Sequence, residues 1–143
     1  MNIEKPISFK TKDEYLKKVS EPINHFVFVL LNNFSFLDFS SAIEILRLAN
    51  KIEEKKIVSW KLLSVHTTRV CSSNGIYIHT DGLLEELKRK NNLVICGGTD
   101  IKNECSKELL SWIRKHYRKG VNIVGLSTAT QIMAMAGILK DKK

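Results

Sequence analysis

Three short stretches of this chain hold residue types that could do chemistry. The first is Gly125-Leu126-Ser127-Thr128-Ala129, set between the apolar run Val121 to Leu126 and a segment with helical spacing at Ile132, Met133 and Ala136. An apolar run that passes at once into helical periodicity describes a strand feeding a sharp turn into a helix. A side chain at that turn stands at the carboxyl edge of a sheet, beside a helix N-terminus that favours negative charge. This is the geometry of a nucleophile elbow, whose hydrolase form is Gly-x-Ser-x-Gly; here the last position is Ala129. The second stretch is Gly97-Gly98-Thr99-Asp100, directly after another apolar run. Consecutive glycines either make a tight turn or turn their N–H groups towards an anion. The third is Asp38, placed to cap a helix or to meet the amide or ammonium group of a ligand.

The chemistry open to Ser127 depends on its neighbours, because a serine hydroxyl needs an adjacent base to act. Thr128 cannot be that base. The pattern puts His66 at a strand end, His79 at a hairpin end and His116 on a helix surface, none with a path to Ser127. Ser127 is therefore read first as a turn residue or ligand contact, and Thr128-x-x-Gln131 as a capping box. Cys71, Cys96 and Cys105 are an odd number with no C-x-x-C pair, which argues against a disulfide framework or zinc site. No metal and no cofactor is expected. Trp60 and Trp112 are read as core or interface residues.

Elements able to position these groups follow in chain order. Residues 1–21 are polar and Lys-rich, a tail that ends at Glu21-Pro22. His25 to Leu31 is a continuous β-rich apolar run, a central strand covered on both faces. Phe39, Ala42, Ile43, Leu46 and Ala49 then share one helical face. That helix is expected to be capped by Asp38 or by a Ser41-x-x-Glu44 box. A second strand spans 59–65, a small hairpin turns at Ser73-Asn74-Gly75, and Asp81 to Leu87 reads as a short helix. Asn92 to Cys96 is a buried strand. Ser106 to Lys119 is a helix with Leu109, Leu110, Ile113 and Tyr117 inward, basic in its last turn and ended by Gly120. Strands alternating with helices imply right-handed crossovers and a doubly wound, mainly parallel α/β sheet. Ligands bind such sheets outside the carboxyl ends of the strands, where the three stretches converge.

The totals agree with one soluble domain. The chain has 143 residues, 43% hydrophobic and 27% charged, which suffices for a real core. No apolar run approaches the ~20 residues of a membrane span, and the N-terminus lacks a signal peptide's apolar core. A cytoplasmic protein without a membrane partner is expected. The formal charge of +8 invites a nucleic-acid reading. The basic residues are scattered over helix ends and loops, however, and neither zinc-finger spacing nor a helix-turn-helix is found. They are read as a solvated surface.

The stretches FVLLNNFSFLDFSSAIEILRLAN, WKLLSV, CSSNGIYI, LVICGGTD, LLSWIRKHYRKG and VGLSTATQIMAMAGIL, in this order, cover nearly everything after Pro22. Together they resemble the ThiJ/PfpI branch of the class I glutamine-amidotransferase-like superfamily. More narrowly, they are similar to the N-terminal sensor domain of AraC-type transcriptional regulators of the GlxA and CdhR kind. The resemblance implies a flavodoxin-like three-layer sandwich over residues 22–143. In enzymes of the family the elbow carries Cys, often followed by His, an acid from the first helix region approaches the thiol, and the Gly-Gly loop offers N–H groups to an anion. Carried across, these positions are Ser127, Thr128, Asp38, and Gly97, Gly98 and Thr99. Ser127 stands where the thiol would be, so the nucleophile position is degenerate.

The expectation that follows is a non-catalytic domain that senses a small nitrogenous metabolite and dimerises. Its ligand contacts would be Asp38, Gly97, Gly98, Thr99, Ser127 and Thr128. DNA would be met only through a helix-turn-helix region that this chain does not contain. The family domain continues past the elbow helix, so the chain is read as incomplete at its C-terminal end. Two other readings stay open: a small Ser127-dependent amidase or hydrolase, and a remnant that only dimerises.

Overall fold

The long apolar runs become the central strands of the computed structural model, which describes Pro22 and residues 24–140. The polar tail expected over 1–21 lies outside the described residues, as do residues 141–143. The chain forms β1 (Asn24–Leu30), α1 (Phe36–Ile52), β2 (Val58–Ser64), β3 (Arg69–Cys71), β4 (Tyr77–His79), β5 (Gly82–Leu83) and β6 (Asn91–Cys96). A 3₁₀ turn (Ile101–Glu104), α2 (Lys107–Arg118), β7 (Asn122–Leu126) and α3 (Ala129–Met135) follow. Five strands make one sheet in the order β5-β2-β1-β6-β7, and β3 and β4 form a separate hairpin. Every pairing within the five-stranded sheet is parallel, with Phe28 between Leu62 and Val94.

Successive strand residues face opposite sides, so a strand covered on both faces must be apolar throughout. Val27, Val29, Leu31, Leu93 and Ile95 enter one core with Leu109 and Ile113 of α2 and Ile132 of α3. Phe28, Leu30, Val94 and Cys96 enter the other with Phe34, Phe39 and the hairpin's Val70. Phe39 sits edge-on to both Phe28 and Phe34, with centroids 5.8 and 5.5 Å away, an arrangement that suits the ring quadrupoles. Trp60 packs on the α1 side and Trp112 on the α2 side, so they are separate core residues. Helix α1 is apolar on its outer face too: Leu37, Ile45 and Ile52 are exposed.

Several local expectations are corrected. Neither Asp38 nor a Ser41-Glu44 box caps α1. Its N-cap is Ser35, whose hydroxyl accepts from the Asp38 N–H at 3.4 Å, because the helix starts one turn earlier than the spacing suggested. Residues 81–87 are not helical. Asp81 N–H donates to Leu62 O and the Asp81 carboxylate accepts from Leu62 N–H, which docks the segment on β2 as the two-residue β5. Helix α2 is turned slightly from the expected phase: Tyr117 is partly exposed and His116 is fully buried. His116 therefore does not lie on the helix surface. Its Nε2 accepts from Leu87 N–H at 3.0 Å and its Nδ1 lies 2.9 Å from Trp112 O, where only the Nδ1–H tautomer can donate.

Candidate functional site at the carboxyl edge

The elbow has the shape that the small residues around it suggested. Ser127 has φ +56°, in the left-handed region that ordinary residues rarely occupy. Gly125 makes the turn possible from below. A β-carbon there would stand 2.8 Å from Met133 Sδ and 3.2 Å from Thr130 N, so α3 approaches β7 more closely than a larger residue would allow. Thr128 occupies the N-cap of α3, but its side chain does not cap the helix. The capping box with Gln131 is absent because Thr128 Oγ1 donates instead to Gly98 O at 2.7 Å. That bond ties the elbow to the glycine turn.

Gly97 and Gly98 are both buried, with their backbones held against neighbouring chain segments. Gly97 N–H donates to Leu126 O at 3.2 Å, and Gly97 O accepts from Ser35 N–H at 2.9 Å. Thr99 N–H donates to Asn33 O at 3.1 Å. Two N–H groups of this turn are thus engaged inside the protein. A β-carbon on Gly97 would meet Ala129 N at 2.6 Å, and one on Gly98 would overlap the Asn33 carbonyl. The glycines are needed for close backbone approach at both positions.

The loop from β1 to α1 is the hub of this edge. Asn33, itself at φ +58°, donates its N–H to Cys71 O at 2.8 Å, and Phe34 bridges Ser72 on one side and Gly98 on the other. Asp38 lies in the first turn of α1, half-buried. Burial, and after it the Asp38 charge, pushes the Cys96 thiol up to about 12. Cys96 is thus the inert buried hydrophobe its sequence context implied.

Two clefts open at this edge. One, of about 450 Å³, is lined by Gly98, Thr99, Asp100, Lys102, Thr128 and Gln131 among others. It gathers three of the expected ligand residues, Gly98, Thr99 and Thr128, while Asp38, Gly97 and Ser127 lie outside its wall. It also brings Asp100 (φ +58°) and Lys102 to one opening, two opposite charges that the sequence reading did not single out. The other cleft, of about 330 Å³, lies between β2 and the hairpin and is walled by Asn32, Ser64, His66, Thr67, Arg69 and Glu104 with apolar residues beneath. Nothing in local spacing marks it, because its walls come from three separate stretches, 30–32, 64–70 and Glu104. Arg69 Cζ stands over the Tyr77 ring, 4.0 Å from its centroid.

No histidine reaches the elbow. His25 Nδ1 is 2.5 Å from Ser59 Oγ at the opposite end of the sheet. His116 is enclosed by α2 and Leu87, His66 lines the second cleft, and His79 ends β4. Among the described residues the Ser127 hydroxyl has no hydrogen-bond partner.

A five-stranded parallel sheet, two helical layers and a strained strand-to-helix elbow define the class of protein: a flavodoxin-like α/β fold of the glutamine-amidotransferase-like kind. The chain belongs to the DJ-1/PfpI family, whose model matches residues 25–143. It is 36% identical over 118 residues to the HTH-type transcriptional regulator CdhR of Pseudomonas aeruginosa, covering 82% of this chain and 35% of that protein. It is 29% identical over 112 residues to the regulator GbdR of the same species, covering 78% of this chain and 30% of that one. The chain thus spans about a third of the length of these curated relatives. A solved AraC family transcriptional regulator from Pseudomonas putida superposes with a TM-score of 0.71 at 26% identity, covering 82% of this chain and 63% of that one. No described helix is long and apolar enough to cross a membrane.

Proposed function

We propose that this chain is the small-molecule-sensing part of an AraC-type transcriptional regulator and that it does no chemistry on its ligand. The observation that carries the reading is the elbow itself. The strained turn is kept, yet its side chain is a serine with no base beside it, and every histidine among the described residues is placed elsewhere. A hydroxyl without a base is a contact rather than a nucleophile. The regulators to which the chain is similar support the regulatory half of the proposal.

The ligand is a small zwitterionic or amide-bearing nitrogenous metabolite bound at the carboxyl edge: Gly98, Thr99 and Thr128 wall its cleft, and Asp38 and Ser127, outside that wall, are the further contacts that the variants below test. Asp100 and Lys102 at the mouth of the larger cleft offer a carboxylate to a cationic group and an ammonium to an anionic one. A ligand that binds one arrangement of a dimer better than another shifts the population towards it. A DNA-reading region elsewhere in the regulator then responds.

The test is calorimetric titration of amino acids, betaines and small amides against the parent, Asp38→Ala, Asp100→Ala and Ser127→Ala. Losing a hydrogen bond to a charged carboxylate should cost about 1.5–3 kcal/mol of binding. If every metabolite binds the parent and all three variants alike, or none binds, the carboxyl-edge sensor is wrong. Ester or amide hydrolysis that disappears in Ser127→Ala would instead establish the hydrolase reading.

A further inference from the structure

Basic residues that look scattered along the sequence are gathered by the topology. In a parallel α/β sheet every helix runs back antiparallel to the strands, so each helix C-terminus and each turn into the next strand lies at the amino edge. Helix C-terminal turns favour cations. Here α2 ends in Lys115, His116 and Arg118, with Lys119 next in sequence. The turn before β6 is Lys88-Arg89-Lys90, and β6 and β7 are paired neighbours, about 4.8 Å apart as adjacent strands are.

The two turns touch. Arg89 lies along Gly120, its Nε 3.1 Å from where a β-carbon would stand, and Lys119 Nζ donates to Leu87 O at 2.6 Å. Lys88, Arg89, Lys90, Arg118 and Lys119 are all exposed. Glu86 is the acid set among them, and it is taken by Lys115 at 2.5 Å and Lys119 at 2.6 Å. Lys88, Arg89, Lys90 and Arg118 are in no ion pair among the described residues. Asn91, Asn92 and Asn122 continue the same rim, with Asn122 Nδ2 donating to Asn92 Oδ1 at 3.2 Å.

We propose that this amino-edge rim, the turn 88–90 together with the end of α2, is a docking surface for the phosphodiester backbone of duplex DNA. Cations interspersed with amides are the side chains that contact phosphate and carry no base information. A bilayer surface would call for several exposed apolar side chains between the cations; the turn 88–90 has none, and the end of α2 offers Tyr117 alone, partly exposed. The choice of nucleic acid among polyanions rests on the regulatory reading above; the charge cluster does not. Such a rim would hold the sensor against DNA next to a site read by another part of the regulator, without adding sequence preference. The carboxyl edge, with Asp38, Asp100 and Glu104, would face away.

The test is fluorescence anisotropy of a labelled duplex of arbitrary sequence, titrated with the full chain at several salt concentrations. Four phosphate contacts give a log K against log salt slope of about −3.6, or roughly a 100-fold loss between 50 and 200 mM salt. The triple variant Lys88→Gln, Arg89→Gln, Lys90→Gln should flatten that slope by about 2.7. The charge-matched control Arg47→Gln, Arg69→Gln, Lys107→Gln, away from the rim, should leave it within about 0.5 of the parent. Equal loss in both variants would reduce the effect to net charge and overturn the proposal. So would absent duplex binding at 20 mM salt, or binding to phosphatidylserine vesicles or polyglutamate in preference to duplex. Metabolite titration of the same preparations is read separately, so a sensor that binds its ligand but not DNA rejects this surface alone.

Discussion

Replacing Gly98 by alanine tests whether the carboxyl edge is held by backbone contact. The new methyl would overlap the Asn33 carbonyl oxygen and stand 2.8 Å from the carbonyl carbons of Asn33 and Phe34. Relaxed carbon–carbon contacts are ~3.5–4.0 Å, so the loop from β1 to α1 would have to retreat by about 1 Å. The obstacle is backbone on both sides, and no side-chain rotation relieves it. Retreat stretches two bonds at once, Thr99 N–H to Asn33 O and Ser35 N–H to Gly97 O, now 3.1 and 2.9 Å. At about 1 kcal/mol each, with overpacking added, the expected loss is about 3–5 kcal/mol, a large share of a typical domain's ~5–15 kcal/mol. Urea unfolding followed by circular dichroism measures it. Gly82→Ala is the control, since its methyl would make only an ordinary 3.8 Å contact with Leu63, and it should shift stability by less than ~0.5 kcal/mol. A Gly98→Ala protein within ~0.5 kcal/mol of the parent would refute the reasoning.

His116→Ala should cost about 2–4 kcal/mol, because it opens a cavity and strands the Leu87 N–H that the ring now receives; an unchanged urea midpoint would show the ring to be dispensable. Hydrogen bonds from Lys115 and then Lys119 hold the Glu86 carboxyl at about 2, below its ordinary value near 4.5. A depressed acid contributes stability above its unfolded value that is lost as pH falls through the folded one. Melting temperature should therefore drop less steeply between about pH 4.5 and 2 in Glu86→Gln than in the parent, a difference that salt should shrink because the group is exposed; parallel acid limbs would dismiss the clamp. Cys96, pushed up to about 12 by burial, should resist iodoacetamide at pH 8 in the folded protein and react after denaturation. Mass-spectrometric detection of native-state alkylation at Cys96 would contradict this.

The strands were legible because a strand buried on both faces needs an unbroken apolar run, and 26–31 and 93–96 are such runs. The elbow was legible because a strand must end in small residues if a helix is to start against it. What depends on distant partners was not. β5 exists because Leu62 and Asp81 bond each other, and a propensity reading of 81–87 had no access to Leu62. The α3 cap differs for the same reason, since Thr128 has a distant acceptor in Gly98 O, whereas the α1 cap differs locally, because the helix starts one turn earlier, at Ser35. His116 differs from Tyr117 by one helical step, and it is His116 that meets the distant Leu87 N–H. The cleft walled by His66, Arg69 and Glu104 required the hairpin and the 3₁₀ turn to be placed in space. The basic rim likewise needed Arg89 and Gly120 to meet.

An all-parallel sheet with its first strand at the centre has a consequence for how this chain is made. β1 is the first strand of this sheet to leave the ribosome, yet its two neighbours are β2 and β6, the latter reached at Asn91. At ~5–20 residues per second, the apolar segment Phe26 to Leu31 waits roughly 3–13 s before its second partner is synthesised. During that interval its Phe28 and Val29, both fully buried at the end, have an open edge on which any extended chain could pair. Aggregation during expression should therefore depend on translation speed between β2 and β6, and on chaperones that shield extended apolar chain, more than on the stability of the finished fold.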